Sequence, residues 1–156
     1  MKYLALVLTV GFFFTRTQAE VYNYNYSKVK AAMQSVLQEK ALDYNINENN
    51  VIVTKTKEID LKTITNYIKE DMPNENPGWE KGRYSLTITL KRINKNKTEM
   101  KIEANLERYG VFSAMVLIPP AWTPAVSNGK PEAEIYEAVT QKLNSGMLPT
   151  KGASKE

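Results

Sequence analysis

The sequence predicts a single α+β domain, in which the first and the last helix cover one face of an antiparallel sheet of four or five strands. Apolar and polar residues alternate through residues 84–106, with a polar turn at residues 94–97, as expected for a hairpin with one buried face. Apolar residues also recur at helical spacing near both ends of the chain. Those two amphipathic helices would supply the cover that the hairpin needs.

The first 19 residues have the pattern of an export signal. Lys2 gives a positive start, residues 3–14 are largely apolar, and Ala19 is a small residue at a suitable cleavage position. An uncleaved membrane anchor is the competing interpretation, but this apolar run is shorter than the roughly 20 residues that cross a bilayer. We therefore expect cleavage after Ala19.

Cleavage after Ala19 would leave a chain of the size that forms one core. The predicted domain comprises residues 20–146, and residues 147–156 form a short polar tail that we expect to be disordered. Loss of the leader removes two basic residues and lowers the net charge from +4 to +2. The remaining basic residues are scattered along the chain, so we expect no binding to nucleic acid.

The absence of two residue types limits the chemistry. The chain contains no histidine, which is the commonest general base and metal ligand, and no cysteine. Nucleophilic triads of the serine or cysteine kind therefore lack their base or their thiol. A hydrolase that uses carboxylates alone is compatible with the 17 acidic residues, but we rank it last. We expect a noncatalytic protein without a cofactor or a metal.

The chain after the leader begins with alternating Tyr and Asn at residues 21–26, which predicts a short strand or a frayed terminus. Ser27 is then placed as the N-cap of an amphipathic helix of about a dozen residues. The apolar stripe of this helix consists of Val29, Ala32, Met33, Val36 and Leu37.

Two short strands are predicted next, at residues 42–46 and 51–57, joined by an Asn-rich turn. Asp60 is a suitable cap for a short helix that follows, although its threonines leave a third strand as the competing interpretation. Residues 72–82 are rich in Pro, Asn and Gly and predict a loop. We expect Trp79 within that loop to pack over the edge of the core.

Residues 109–118, after the hairpin, are almost continuously apolar and lead into a proline-rich passage. One interpretation is a strand buried on both faces, which leaves the sheet through an extended proline loop. The other is an exposed surface that meets a partner or a lipid surface. The candidate partner contact consists of Leu117, Pro119, Pro120, Trp122 and Pro124.

The last helix has clear start and stop signals. Pro131 suits its first position, Glu132 places negative charge at its positive end, and Gly146 is a natural stop. Its buried stripe is predicted to be Ile135, Ala138, Val139 and Leu143.

The order of these elements resembles a known kind of domain. A helix that contains Ser27, Ala32 and Val36 precedes short strands, and the hairpin carries Lys97 and Thr98 just after its turn. This arrangement is similar to the helix-grip-type domains of exported envelope proteins, such as those of the BamC (NlpB) lipoprotein family. The resemblance implies a noncatalytic role as an accessory of a larger envelope assembly. Unlike those lipoproteins, this chain has no cysteine to carry a lipid.

The leading functional hypothesis is therefore an exported binding or assembly accessory protein of a bacterial cell envelope, periplasmic or associated with the outer envelope. It would act through contacts with an envelope protein, and a peripheral membrane contact is compatible with the apolar passage. The alternative is a carrier of a small apolar ligand, held in a cavity between the sheet and a helix.

Overall fold

The computed structural model describes residues 19–47, 49–69, 78–111 and 119–146. Most of the predicted leader, the predicted tail and Leu117 lie outside these residues. The described chain forms seven strands and three helices, in the order β1 (Ala19–Tyr22), α1 (Tyr26–Glu39), β2 (Tyr44–Ile46), β3 (Val51–Thr54), β4 (Lys57–Asp60), α2 (Leu61–Tyr67), β5 (Gly78–Asn94), β6 (Lys97–Val111), β7 (Ala121–Ala125) and α3 (Lys130–Ser145).

The strands form one sheet in which every pairing is antiparallel, so the predicted α+β class is confirmed. Five strands follow one another across the sheet in the order β1-β6-β5-β3-β2. β4 also pairs with β5, and β7 also pairs with β6. The prediction of four or five strands was too low, because β5 and β6 are long enough to hold two short strands along each outer edge.

The hairpin of β5 and β6 is longer than predicted at its open end. Residues 78–82, predicted as part of a loop, belong to β5, whereas residues 70–77 lie outside the described residues. Gly82 contributed to the loop prediction, but in the sheet it permits close packing. A Cβ at this position would come within 2.4 Å of Ile64 of α2, so only glycine lets that helix lie against the strand.

All three helices pack on one face of the sheet, which we call the inner face. α1 and α3 contact each other and the central hairpin, which confirms the predicted cover. α2 packs beside them through Ile64 and Tyr67. Each fully buried aliphatic side chain contributes roughly 1.5–3 kcal/mol relative to an exposed one. The inner-face side chains of the hairpin in this core are Leu86, Ile88, Leu90, Met100 and Ile102.

The helix ends test the predicted caps. Asn25, rather than Ser27, is the N-cap of α1, and its side-chain oxygen accepts from the N–H of Lys28 at 2.9 Å. Asp60 is the cap of α2 as predicted, and it accepts from the N–H of Thr63 at 2.8 Å. The third-strand alternative is wrong for residues 61–67, since β4 ends where the helix begins.

The last helix matches its prediction at both ends. Pro131 lies in its first turn, and Gly146 adopts the left-handed conformation at its C-terminus, with φ of 68°. Of the predicted stripe, Ile135, Val139 and Leu143 are buried, whereas Ala138 is half-buried.

The proline-rich passage is a strand and not the predicted extended loop. After Pro119 and Pro120 the chain forms β7, which pairs with the end of β6. Pro124 has no N–H to donate, but β7 has no further strand beyond it among the described residues, so no ladder bond is lost. The predicted strand at residues 109–118 is described only as far as Val111, within β6.

Candidate protein-contact site

The candidate site lies on the outer face of the sheet, opposite the helices. Strand register places Lys81 of β5 beside Tyr109 of β6, and Tyr109 beside Trp122 of β7. The next row on the same face places Arg83 of β5 beside Glu107 of β6, and Glu107 beside Pro124 of β7. These two rows form the Trp122 patch, which consists of Lys81, Arg83, Glu107, Tyr109, Trp122 and Pro124.

An aromatic pair with two cations forms the centre of the patch. The rings of Tyr109 and Trp122 lie 5.1 Å apart between centroids, at 51° to each other. The guanidinium carbon of Arg83 lies 4.1 Å from the Trp122 ring centroid, and the Lys81 ammonium lies 5.5 Å from it. These are cation–π distances, and they order the half-buried indole without burying it in the core.

Acidic side chains balance the cations of the patch. Nε of Arg83 lies 2.5 Å from Oε2 of Glu107, and the Lys81 ammonium lies 2.8 Å from Glu58 of β4. The hydrogen bond with Glu107 raises the pKa of the Arg83 guanidinium above its usual value. Both side chains of the Arg83–Glu107 pair remain about one-third exposed, so they are ordered and still accessible.

The structure gathers part of the predicted contact and adds residues that the sequence did not indicate. Pro119, Pro120 and Pro124 are exposed and Trp122 is half-buried, whereas Leu117 lies outside the described residues. The prediction missed the neighbours that β5 and β6 contribute. The alternation of the hairpin continues to Arg83 and Lys81 and would have indicated both residues. Residues 72–82 were predicted as a loop, so the strand was not extended that far.

Trp79, by contrast, lies on the inner face. Its ring stacks with the guanidinium of Arg108, whose carbon is 4.5 Å from the ring centroid. Both residues are half-buried near the end of the sheet, and the packing of Trp79 over the edge of the core stays a prediction. The two tryptophans therefore occupy opposite faces, and only Trp122 belongs to the outer surface.

A second feature is a cleft of about 920 Å³ along the edge of β6, between β1, β7 and the start of α3. Its floor includes Ile102 and Ala104 of β6. The N–H of Ile102 donates to the Tyr136 hydroxyl at 2.9 Å, and the N–H of Ala104 donates to Oε1 of Glu132 at 3.1 Å. Burial raises the pKa of Tyr136 to about 12, so its hydroxyl stays protonated at neutral pH.

Neither feature has the arrangement of a metal centre: within the four described ranges, no group of three or more Asp or Glu side chains is placed to hold an ion. In the same residues, no helix is both long and apolar enough to cross a membrane. The chain matches no protein-family model and no curated protein sequence. The predicted relationship to the BamC family therefore stays a prediction.

Proposed function

We propose that this protein is an exported, noncatalytic accessory of a bacterial cell envelope that binds a protein partner through the Trp122 patch. The observation that carries the proposal is a half-buried tryptophan that contacts Tyr109 and Arg83 on the face opposite the described helices. Two exposed prolines, Pro119 and Pro120, lead into the strand that presents it.

The composition of the patch supports a protein partner. Trp, Tyr and Arg are the residues most enriched among those that dominate the energy of protein interfaces. Their rings and the guanidinium are already fixed by mutual stacking, so less side-chain entropy is lost on binding. The paired charges add directional contacts at the rim, with Glu58 and Glu107 as acceptors.

Export is the second part of the proposal, and the apolar leader supports it. A processed chain would carry no lipid, since no cysteine is present. Attachment to the envelope would then depend on the partner, which gives the Trp122 patch its proposed role.

The alternative, a carrier of a small apolar ligand, receives less support from the packing. Seventeen buried side chains of the described residues form one cluster between the sheet and the helices α1 and α3. That cluster occupies the volume in which a ligand would lie. The cleft beside β6 is open and includes several carboxylates, which are poor neighbours for an apolar molecule.

Site-specific photocrosslinking in the producing cell tests the proposal. A photoreactive amino acid is introduced at the exposed Pro124, beside Trp122, and at the exposed Gln141 on α3 as a matched control. We expect one discrete crosslinked product from position 124 and none from position 141. The further substitution Trp122→Ser should abolish that product, because it removes the centre of the contact.

Thermal unfolding of Trp122→Ser separates lost binding from lost folding. We expect its melting temperature to stay within a few degrees of the unmodified chain, since the indole lies outside the main core. A folded Trp122→Ser protein that still gives the full product would remove the patch from the proposal. Equal crosslinking from positions 124 and 141 would do the same.

A further inference from the structure

Two neighbouring rows of side chains on the outer face have the same order of residue types. Each row crosses β3, β5 and β6 in turn and consists of a valine, a threonine and a charged residue. We call them the paired rows, and they are Val53, Thr87 and Glu103 in one and Val51, Thr89 and Lys101 in the other. The rows differ only in the sign of the charge on β6.

The paired rows are accessible on the face opposite the described helices. Val53 is 40% exposed although it is an apolar residue of a central part of the sheet. Lys101 and Glu103 form an ion pair at 2.5 Å, and their side chains remain 44% and 47% exposed. An exposed ion pair of this kind adds little to stability. The apolar and the charged groups of the rows are therefore both available to a partner.

We infer that the paired rows form the contact of a homodimer, in which two sheets pack face to face about a two-fold axis. The axis lies between the sheets and perpendicular to the strands, at the level of Ile88 and Ile102, which separate the two rows. Rotation about this axis reverses the direction of the strands and keeps their order across the sheet. Each row of one copy then lies over the other row of the second copy.

The side chains that meet across this axis are complementary on every strand. On β3 valine meets valine, and on β5 threonine meets threonine. On β6 Glu103 of one copy meets Lys101 of the second copy, and the symmetry repeats this pair. A two-fold interface must be self-complementary, because the same surface is used by both copies. Opposite charges that face each other also fix the register of the two sheets.

A two-fold axis along the strands does not give this match. Placed at β5, it would put Glu103 and Lys101 over the valines of β3, where the charges would lose water without gaining a partner. Placed at β6, it would put each charged residue over its own copy, so that like charges would meet. The order of residue types in the paired rows therefore selects the perpendicular axis.

The size of the contact sets the expected affinity. Packed sheets lie about 10 Å apart, a distance that short valine and threonine side chains fill. The paired rows are only two residues deep, so the contact is smaller than the roughly 800 Å² per partner of a typical stable interface. We expect a dimer with a dissociation constant in the micromolar range. It does not depend on an envelope protein binding to the Trp122 patch.

Sedimentation equilibrium of the protein purified from the producing cell tests the dimer. The unmodified chain should show a monomer–dimer equilibrium in the micromolar range. Glu103→Lys makes lysine meet lysine across the axis and should weaken the dimer at least about tenfold, and Lys101→Glu should do the same with two acids. The matched control, Glu137→Lys at an exposed position of α3, should leave the equilibrium unchanged.

A mixture of the two variants tests the register. One variant presents only lysine at positions 101 and 103 and the other only glutamate, so an equimolar mixture should form a heterodimer at least as stable as the unmodified dimer. Its formation also shows that both variants are folded. The inference is overturned if the mixture stays monomeric, or if the dimer withstands both single substitutions. An unmodified chain that is monomeric at about 500 μM, where a micromolar dimer would be almost complete, also overturns it.

Discussion

The strand pairing is interrupted along both outer edges of the central hairpin, and different groups accept the backbone N–H groups left at each interruption. On the β5 side, the pairing with β3 ends at Thr87 and the pairing with β4 begins at Tyr84, so Ser85 and Leu86 lie between the two pairings. The Thr54 hydroxyl, at the end of β3, accepts the N–H of Leu86 at 2.8 Å. On the β6 side, residues 102–105 have no strand partner among the described residues. Tyr136 and Glu132 of α3 accept the N–H groups of Ile102 and Ala104 there.

Solvent access differs between the two interruptions at the Ala104 end of the longer one. Thr54 and Leu86 are buried, at 3% and 0% exposure, so the short gap is sealed within the core. In the longer interruption Ile102 and Tyr136 are also buried, at 0% and 6% exposure, but Ala104 and Glu132 are half-buried beside the open cleft. Glu132 also accepts from the Ser127 hydroxyl at 2.7 Å. The β5 interruption is therefore closed to solvent, whereas the β6 interruption meets solvent beside Ala104.

The largest effect is expected at the sealed edge. Thr54→Val keeps the shape of the side chain and removes the only acceptor that the described residues offer to the buried N–H of Leu86. An unsatisfied buried donor costs about 2 kcal/mol of unfolding free energy. Urea denaturation should show this loss, and Thr54→Ser, which keeps the hydroxyl, should recover at least half of it. An unchanged free energy of unfolding in Thr54→Val would show that this hydrogen bond does not stabilise the fold.

The corresponding change at the open edge should cost less. Glu132→Met removes the acceptor of the Ala104 N–H, but both residues are half-buried beside the cleft, so water can replace it. We expect a loss of about 1 kcal/mol or less in the same denaturation experiment. If this variant and Thr54→Val lost the same free energy of unfolding, solvent access would not explain the difference between the two edges.

The smallest effect on stability is expected at the N-caps of the helices α2 and α3, which lie beside the two edges. The N-cap of α2, on the β5 side, is Asp60, whose carboxylate accepts a hydrogen bond, whereas the N-cap of α3, on the β6 side, is Gly129, which makes no side-chain hydrogen bond. The hydrogen bond from the N–H of Thr63 lowers the pKa of the Asp60 carboxyl from its usual value. A carboxyl whose pKa is lower in the folded state stabilises it above the unfolded pKa, and this stabilisation is lost as the pH falls through the folded pKa.

Melting temperatures measured between pH 7 and pH 3 test this point with Asp60→Asn, which keeps a capping oxygen. The unmodified chain should be slightly more stable at neutral pH, and the difference should narrow below about pH 4, the usual pKa of aspartate. The control is Glu137→Gln, which removes an exposed carboxylate of α3 and should show no such narrowing. A constant difference across the pH range would assign the effect of Asp60 to something other than its charge.

How far the sequence predicts the fold depends on whether the signal is local. Alternation in the hairpin and helical spacing around Val36 and Val139 gave the class, the central strands and the helices, because burial of one face imposes a period on each element. Asp60 and Gly146 were found because capping acts within a few residues. Ser27 was chosen over Asn25 because adjacent polar residues are nearly equivalent as caps.

The candidate site was predicted only in part, for a related reason. Trp122 and the prolines were conspicuous by composition, but Lys81 and Arg83 look like ordinary strand residues in the sequence. They become neighbours of Trp122 only through the pairing of β5, β6 and β7. Gly82 misled the prediction for the same reason, since its close contact with Ile64 joins residues 18 positions apart.

The sequence by itself determined the α+β class, the helix-covered hairpin and the absence of histidine and cysteine, since periodicity and composition are properties of the chain alone. Only the tertiary structure decided which face carries the Trp122 patch and which residues of β6 have no strand partner in the described part of the chain. Both depend on strand register. A shift of one residue would turn every side chain of a strand to the opposite face, and no local pattern in β7 or β1 fixes that alignment.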